Sequence, residues 1–152
     1  KNLICVSPDV GGVQRTRGLA TKIDVDLAII DKRRLQPGKS QVMRIVGNVQ
    51  NKECIIVDDI IDSGGTIVNA VDALIREGAK SVYVFVTHAV LSGEAINKIK
   101  KSKINKLIIT DSIDNTKKIK NVSKIQVLSI APLMAEAIKR ISNSTSVSSL
   151  FN

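Results

Sequence analysis

An open α/β fold, a mostly parallel sheet with flanking helices, is predicted by two features of the 152-residue sequence. Short β-branched runs alternate with helix-compatible stretches from one end to the other, the order of repeated β-α-β units. Most of these runs are continuously apolar, as strands buried on both faces of a parallel sheet must be. Ligands of such sheets bind at the carboxyl ends of the strands, so the residues that follow each run carry the functional information.

The first strand is expected at residues 3–6 (LICV), followed after Gly11-Gly12 by a helix over 13–22. LAII gives a second strand at 27–30. The next stretch, DKRRLQPGKSQ at 31–41, is polar and basic and carries Pro37 and Gly38, so it is expected to be a loop. Strands follow at 42–49 and 54–58, then a helix over 66–77 with Gly78 where a C-terminal cap belongs. A strand at 81–87 leads to a helix over 93–101, with Ser92 as its cap and Glu94 in its first turn. Strands at 106–110 and 125–130 and a helix over 132–142 complete the series. The serine-rich tail, 142–152, is expected to be mobile unless it docks. With no internal repeat and no linker, residues 1–152 read as a single domain. The chain opens on Lys1 and enters a strand almost at once, so it is expected to be a piece of something longer.

Composition excludes several classes. Charged residues make up 24% and hydrophobic ones 43%, which is not the balance of a disordered chain. No apolar run approaches the roughly 20 residues that cross a bilayer, and the N-terminus lacks the zones of a signal peptide. Cys5 and Cys54 each sit within an apolar run, as buried thiols of a reducing compartment do. A soluble, cytoplasmic protein is expected. The net charge of +9 invites a nucleic-acid reading, but nine lysines between Lys98 and Lys124, against Asp111 and Asp114, hold seven of those charges. That segment has no aromatic residue on which a base could stack, so it reads as a solvated face and nucleic-acid binding is not expected.

The sharpest chemical signal is CIIVDDIIDSGGTI, residues 54–67. A buried strand runs into Asp58 and Asp59, a turn carries Asp62, Ser63, Gly64 and Gly65, and Thr66 opens a helix. Glycines let backbone N–H groups approach a phosphate, and a helix N-terminus adds free donors and partial positive charge. Carboxylates just upstream repel phosphate but suit sugar hydroxyls, directly or through magnesium. The order acid, acid, turn, nest describes a phosphorylated sugar held at both ends. The same residue types also cap ordinary helices. Three carboxylates, two glycines and two hydroxyls within nine residues exceed what capping requires. Other phosphate motifs fit less well: Gly38-Lys39-Ser40 imitates the end of a Walker A loop, but Arg33 stands where its first glycine belongs.

Together VSPDVGGVQR (6–15), AIIDKRR (28–34), VDDIIDSGGT (57–66), THAVLSG (87–93) and RISNSTSVSSLF (140–151) resemble the C-terminal domain of bacterial ribose-phosphate pyrophosphokinases, the phosphoribosyl pyrophosphate synthetases. The resemblance covers essentially the whole chain. It implies a type I phosphoribosyltransferase-like fold, the second of two similar domains, with the N-terminal half absent. The implied reaction passes diphosphate from ATP to the C1 hydroxyl of ribose 5-phosphate, giving phosphoribosyl pyrophosphate and AMP. It further implies Lys32 as catalytic lysine with Arg34 as its partner on a mobile loop, Arg34 also touching substrate. Asp58 would meet the ribose hydroxyls, Asp59 would assist through magnesium or water, and Asp62, Ser63, Gly64, Gly65 and Thr66 would hold the 5-phosphate. Asp9 matches a magnesium ligand, although one Asp beside two glycines is also an ordinary helix start. Ser146, Ser148 and Phe151 match an allosteric phosphate or ADP site between subunits of a homo-oligomer. Leu35 departs from the family's customary proline, which bears on loop stiffness, and Ser63 stands for a common Thr with the hydroxyl retained. His88 is expected to be a hydrogen-bonded structural residue. The alternatives are a stand-alone type I phosphoribosyltransferase, for which the chain shows no base-recognising insertion, and a non-catalytic regulatory subunit, which should have lost Lys32 or the phosphate nest.

Overall fold

The computed structural model describes residues 2–33 and 42–151. Its elements run β1 (Leu3–Ser7), α1 (Val13–Ile23), β2 (Asp26–Arg33), β3 (Val42–Val46), β4 (Glu53–Ile61), α2 (Gly65–Arg76), β5 (Ser81–Ala89), α3 (Ala95–Lys101), β6 (Lys106–Thr110), α4 (Thr116–Ile119), β7 (Ile125–Leu128) and α5 (Ala131–Ser142). The sheet has the order β3-β2-β1-β4-β5-β6-β7. Among the described residues, only the edge strand β3 is antiparallel to its neighbour.

The apolar runs explain the centre of this sheet. Ile4, Cys5 and Val6 of β1 are buried on both faces, whereas β4 and β5 bury one face fully, Cys54 and Ile56 against Val82, Val84 and Val86, and leave Ile55, Val57 and Tyr83 of the other half-buried. Helices α2 and α3 seal one face with Ile67, Ala70, Val71, Leu74, Ala95 and Ile99. Gly78 adopts φ 86 and α2 ends there as expected, its N–H donating to the Ile75 carbonyl. From β1 the chain crosses to β2 on one side; from β4 it crosses to β5 on the other. Right-handed crossovers in opposite directions put α1 and α2 on opposite faces and open a crevice between the carboxyl ends of β1 and β4.

Burial weakens toward β7. Phe85, Val127 and Leu128 are exposed, and so are Leu133, Met134, Ile138 and Ile141 of α5, a helix with no buried residue. The continuous apolar runs there do not signify burial within this chain.

Several boundaries depart from expectation. Strand β2 continues to Arg33, into the stretch expected to be loop, because Asp31, Lys32 and Arg33 pair with Arg44, Met43 and Val42 of β3. An acid opposite a base is a favourable cross-strand pair that apolar periodicity cannot show. Strand β3 stops at Val46, before Gly47, whose φ of 115 and close approach to Ala28 (a Cβ would lie 2.9 Å from that of Ala28) leave no room for a side chain. Strand β4 runs three residues past Asp58, and β7 ends at Leu128. Helix α3 begins at Ala95, not Gly93: Gly93 has φ 51, and Ser92 contributes its carbonyl, not its hydroxyl, to the turn. The single turn α4 was not anticipated. The tail is fastened rather than loose: Ser148–Leu150 form a 3₁₀ turn, Arg140 donates to the Ser146 carbonyl at 3.0 Å, and Lys22 donates to the Phe151 carbonyl at 2.6 Å.

Both cysteines are fully buried and free, and burial pushes the Cys54 thiol up to about 11. In the folded chain neither is expected to react with iodoacetamide at pH 8, while both alkylate once denaturant is added. Rapid modification of the native protein, read by mass spectrometry, would contradict this packing.

Candidate functional site

The crevice between β1 and β4 holds the site. Strand β4 delivers Asp58 and Asp59, then Ile60 and Ile61, before the chain turns through Asp62, Ser63 and Gly64 into α2. Gly64 is the N-cap, in the left-handed region at φ 75 that favours glycine, and no side chain caps the helix. The first-turn N–H groups of a helix have no intrahelical acceptors, so an uncapped start with its positive dipole end suits an anion. The capping explanation of the acidic cluster therefore fails: none of these carboxylates caps α2. A cavity of about 300 Å³ is lined by Asp9, Asp58, Asp59, Asp62, Ser63, Gly64 and Thr66, with Ile60, Ile61 and Ile67. Gly65 opens α2 between two of these residues.

The carboxylates are not equivalent. Burial pushes Asp58 above the ordinary carboxylate range, reinforced by the charges of Asp59 and Asp9 and opposed by the Asp59 N–H, which donates to its Oδ1 at 2.9 Å. Its pairing with the Asp58 carboxyl, and then the Arg15 guanidinium, hold Asp59 low. Arg15, on the first turn of α1, forks between them, 3.2 Å from Asp58 Oδ1 and 3.0 Å from Asp59 Oδ2. Asp9, from the turn after β1, accepts the Gly12 N–H through Oδ1 at 2.9 Å, while the Ser7 hydroxyl donates to the Asp9 carbonyl. One Asp9 oxygen thus serves the helix start. Among the described residues no three carboxylates converge into a ready metal cage. Hard carboxylate oxygens facing one cavity do fit magnesium, which takes one or two of them and completes its shell with water and substrate phosphate.

The remaining candidates lie apart. Lys32 sits on β2 opposite Met43, at the same sheet edge as the cavity because β1, β2 and β4 run parallel. Arg34 and Leu35 lie outside the described residues. Ser146 and Ser148 bond to each other through their hydroxyls at 2.9 Å. Phe151 is tied to Lys22 in the last turn of α1, at the opposite end of that helix from Gly12 and the cavity. His88 Nδ1 lies 3.0 Å from the Ser112 hydroxyl, the expected hydrogen-bonded arrangement.

Residues 32–152 match the phosphoribosyl synthetase-associated domain family. The chain belongs to that family. A ribose-phosphate pyrophosphokinase of Mesorhizobium japonicum is 54% identical over 151 residues, 99% of this chain and 49% of that protein, so the chain spans about half the length of the curated relatives it matches. The crystal structure of phosphoribosylpyrophosphate synthetase from Mycobacterium smegmatis superposes with a TM-score of 0.86 at 37% identity, over 95% of this chain and 46% of that one. A purine phosphoribosyltransferase from Pyrococcus horikoshii shares the fold alone: TM-score 0.51, 24% identity, 60% of this chain and 64% of that one. The expected type I phosphoribosyltransferase-like fold is therefore established for this phosphoribosyl synthetase-associated domain.

Arg15 is the site residue that sequence reasoning missed. Its partners lie 43 and 44 positions away, a pairing visible only once α1 and β4 flank one crevice. Arg15 and Asp59 are both substantially exposed, which limits the pair to at most about 1 kcal/mol. Because Asp59 is held below its unfolded value of about 4, the contribution is present above that pH and is lost as acid protonates Asp59. Arg15→Gln should thus be less stable than wild type near neutrality, with the gap closing between about pH 5 and about pH 2 in urea unfolding. A pH-independent gap would argue against the ion pair.

Proposed function

We propose that this chain is the C-terminal half of a two-domain ribose-phosphate pyrophosphokinase, acting in the cytoplasm on ribose 5-phosphate and ATP to give phosphoribosyl pyrophosphate and AMP. The observation that carries the reading is that one cavity is lined both by an uncapped helix start with Ser63 and Thr66 and by the carboxylates of Asp9, Asp58 and Asp59. A phosphomonoester suits the first and sugar hydroxyls the second.

In this reading the 5-phosphate rests on the N–H groups and hydroxyls of residues 62–66. Asp58 accepts from the ribose hydroxyls and Asp59 supports it. With the sugar fixed at both ends, the C1 hydroxyl is aimed at the β-phosphorus of ATP. The O–P bond forms as the bond to the α-phosphate oxygen breaks, the hydroxyl proton is released, and AMP leaves. Such a transfer rests on positioning and on neutralising charge on the phosphoryl oxygens. Lys32 supplies a point charge and Arg34 a fork of donors to those oxygens. Magnesium, held through Asp9 and substrate oxygens, would share that neutralisation.

The unmatched half of the relatives' length has a natural place here. The exposed apolar residues of β7 and α5 form a face that the first domain or another subunit of a homo-oligomer would cover. Ser146, Ser148 and Phe151 would then contribute to an ADP or phosphate effector site between subunits.

Calorimetric titration of the 152-residue chain with ribose 5-phosphate should show binding that unphosphorylated ribose does not, and Asp58→Asn should weaken it about 10- to 100-fold, the value of a hydrogen bond to a charged group. Equal binding of ribose, or no effect of Asp58→Asn, would contradict the assignment. With ATP added, the isolated chain should form almost no AMP, because the nucleotide site is incomplete. Robust AMP formation would show that half the enzyme is not missing.

A further inference from the structure

A loop offers N–H groups to an anion only if its carbonyls face elsewhere, because the two groups of one peptide point in opposite directions. In the turn after β4, three consecutive carbonyls are all taken by the stretch that follows β5. The Ile61 carbonyl accepts from the N–H groups of Val90 at 2.9 Å and Leu91 at 3.3 Å, and that of Asp62 accepts from the Ser92 N–H at 3.2 Å. The Ser63 carbonyl accepts from Lys98 Nζ of α3, also at 3.2 Å. These three peptides carry the N–H groups of Asp62, Ser63 and Gly64, which the fastening turns to the other side. The bracket is itself held from behind: Lys118 Nζ donates to the Val90 carbonyl at 3.1 Å, and the Asn115 amide donates to that of Ala89 at 2.6 Å.

Two of the three fastenings use backbone N–H groups, which no substitution short of proline removes. The third depends on one side chain, at the Ser63–Gly64 peptide next to the start of α2. We propose that Lys98 is a positioning residue for the phosphate loop: its ammonium, drawn to the Ser63 carbonyl, keeps the Gly64 N–H turned to the phosphate. Lys98 also brings a positive charge to the loop, whose own side chains include the Asp62 carboxylate. This inference rests on the reading of that loop as the 5-phosphate site. It separates Lys98 from the solvated lysines around it. Lys106, Lys118 and Lys124 likewise donate to backbone carbonyls, those of Ser123, Val90 and Ser102, whereas Lys100 is simply exposed on the same helix.

The test compares Lys98→Gln, Lys98→Arg and Lys100→Gln in the 152-residue chain, titrated with ribose 5-phosphate and, separately, with inorganic phosphate. Lys98→Gln should weaken both ligands by a similar factor of about ten. Lys98→Arg, which keeps a cationic donor, should recover most of the affinity, and Lys100→Gln, with the same change in charge, should shift it less than twofold. Equal losses in Lys98→Gln and Lys100→Gln would reduce the effect to general electrostatics and overturn the positioning role. So would unchanged affinity in Lys98→Gln while wild type binds ribose 5-phosphate in an Asp58-dependent way, an outcome that leaves the site reading intact. Absence of ribose 5-phosphate binding by wild type would sink both.

Discussion

Handedness does most to decide where chemistry can occur in this chain. Each parallel crossover must be right-handed, so a chain that leaves β1 toward β2 and β4 toward β5 sends α1 and α2 to opposite faces of the sheet. The crevice left between the two strand ends is the one place where the turn after β1 and the turn after β4 meet. Asp9 and the 58–66 segment line one cavity for that reason, and Arg15 reaches Asp58 and Asp59 across it.

Electrostatic division of the cavity follows from where each strand stops. Strand β4 runs three residues past Asp58, which leaves Asp58 half-buried and raised while Asp59, more exposed and paired, stays low. Past the Asp62 carboxylate, the turn opens an uncapped helix start whose free N–H groups and dipole favour an anion. In the proposed reading, a ligand with hydroxyls and a dianionic group meets both chemistries. The apolar face of β7 and α5 is a separate matter, a surface left for association rather than for chemistry.

Much of this was legible in the sequence because the signals are local. VDDIIDSGG carries its turn glycines and its acids in one run, and the apolar strands of the centre announce a parallel sheet. What escaped depends on partners far along the chain or on backbone conformation. The pairing of Asp31 with Arg44 extends β2 where polarity alone says loop. The left-handed Gly93 delays α3 by two residues, although Ser92 and Glu94 look like a cap and a first turn. The lysine-rich segment looked uniformly solvated, yet four of its lysines hold backbone carbonyls, a use of ammonium groups with no sequence signature. Arg15 was invisible for the same reason: nothing near it in sequence tells which acids it will meet.

In the proposed reading the turn after β4 presents its N–H groups to a phosphate. Amide resonances of the isotopically labelled chain, followed by nuclear magnetic resonance during titration with ribose 5-phosphate, test it most directly. The largest, saturable downfield shifts are expected on Ser63, Gly64, Gly65 and Thr66, with smaller changes at Asp58 and Asp59. Shifts confined to the lysine-rich stretch from Lys98 to Lys124, with residues 62–66 unmoved, would contradict it.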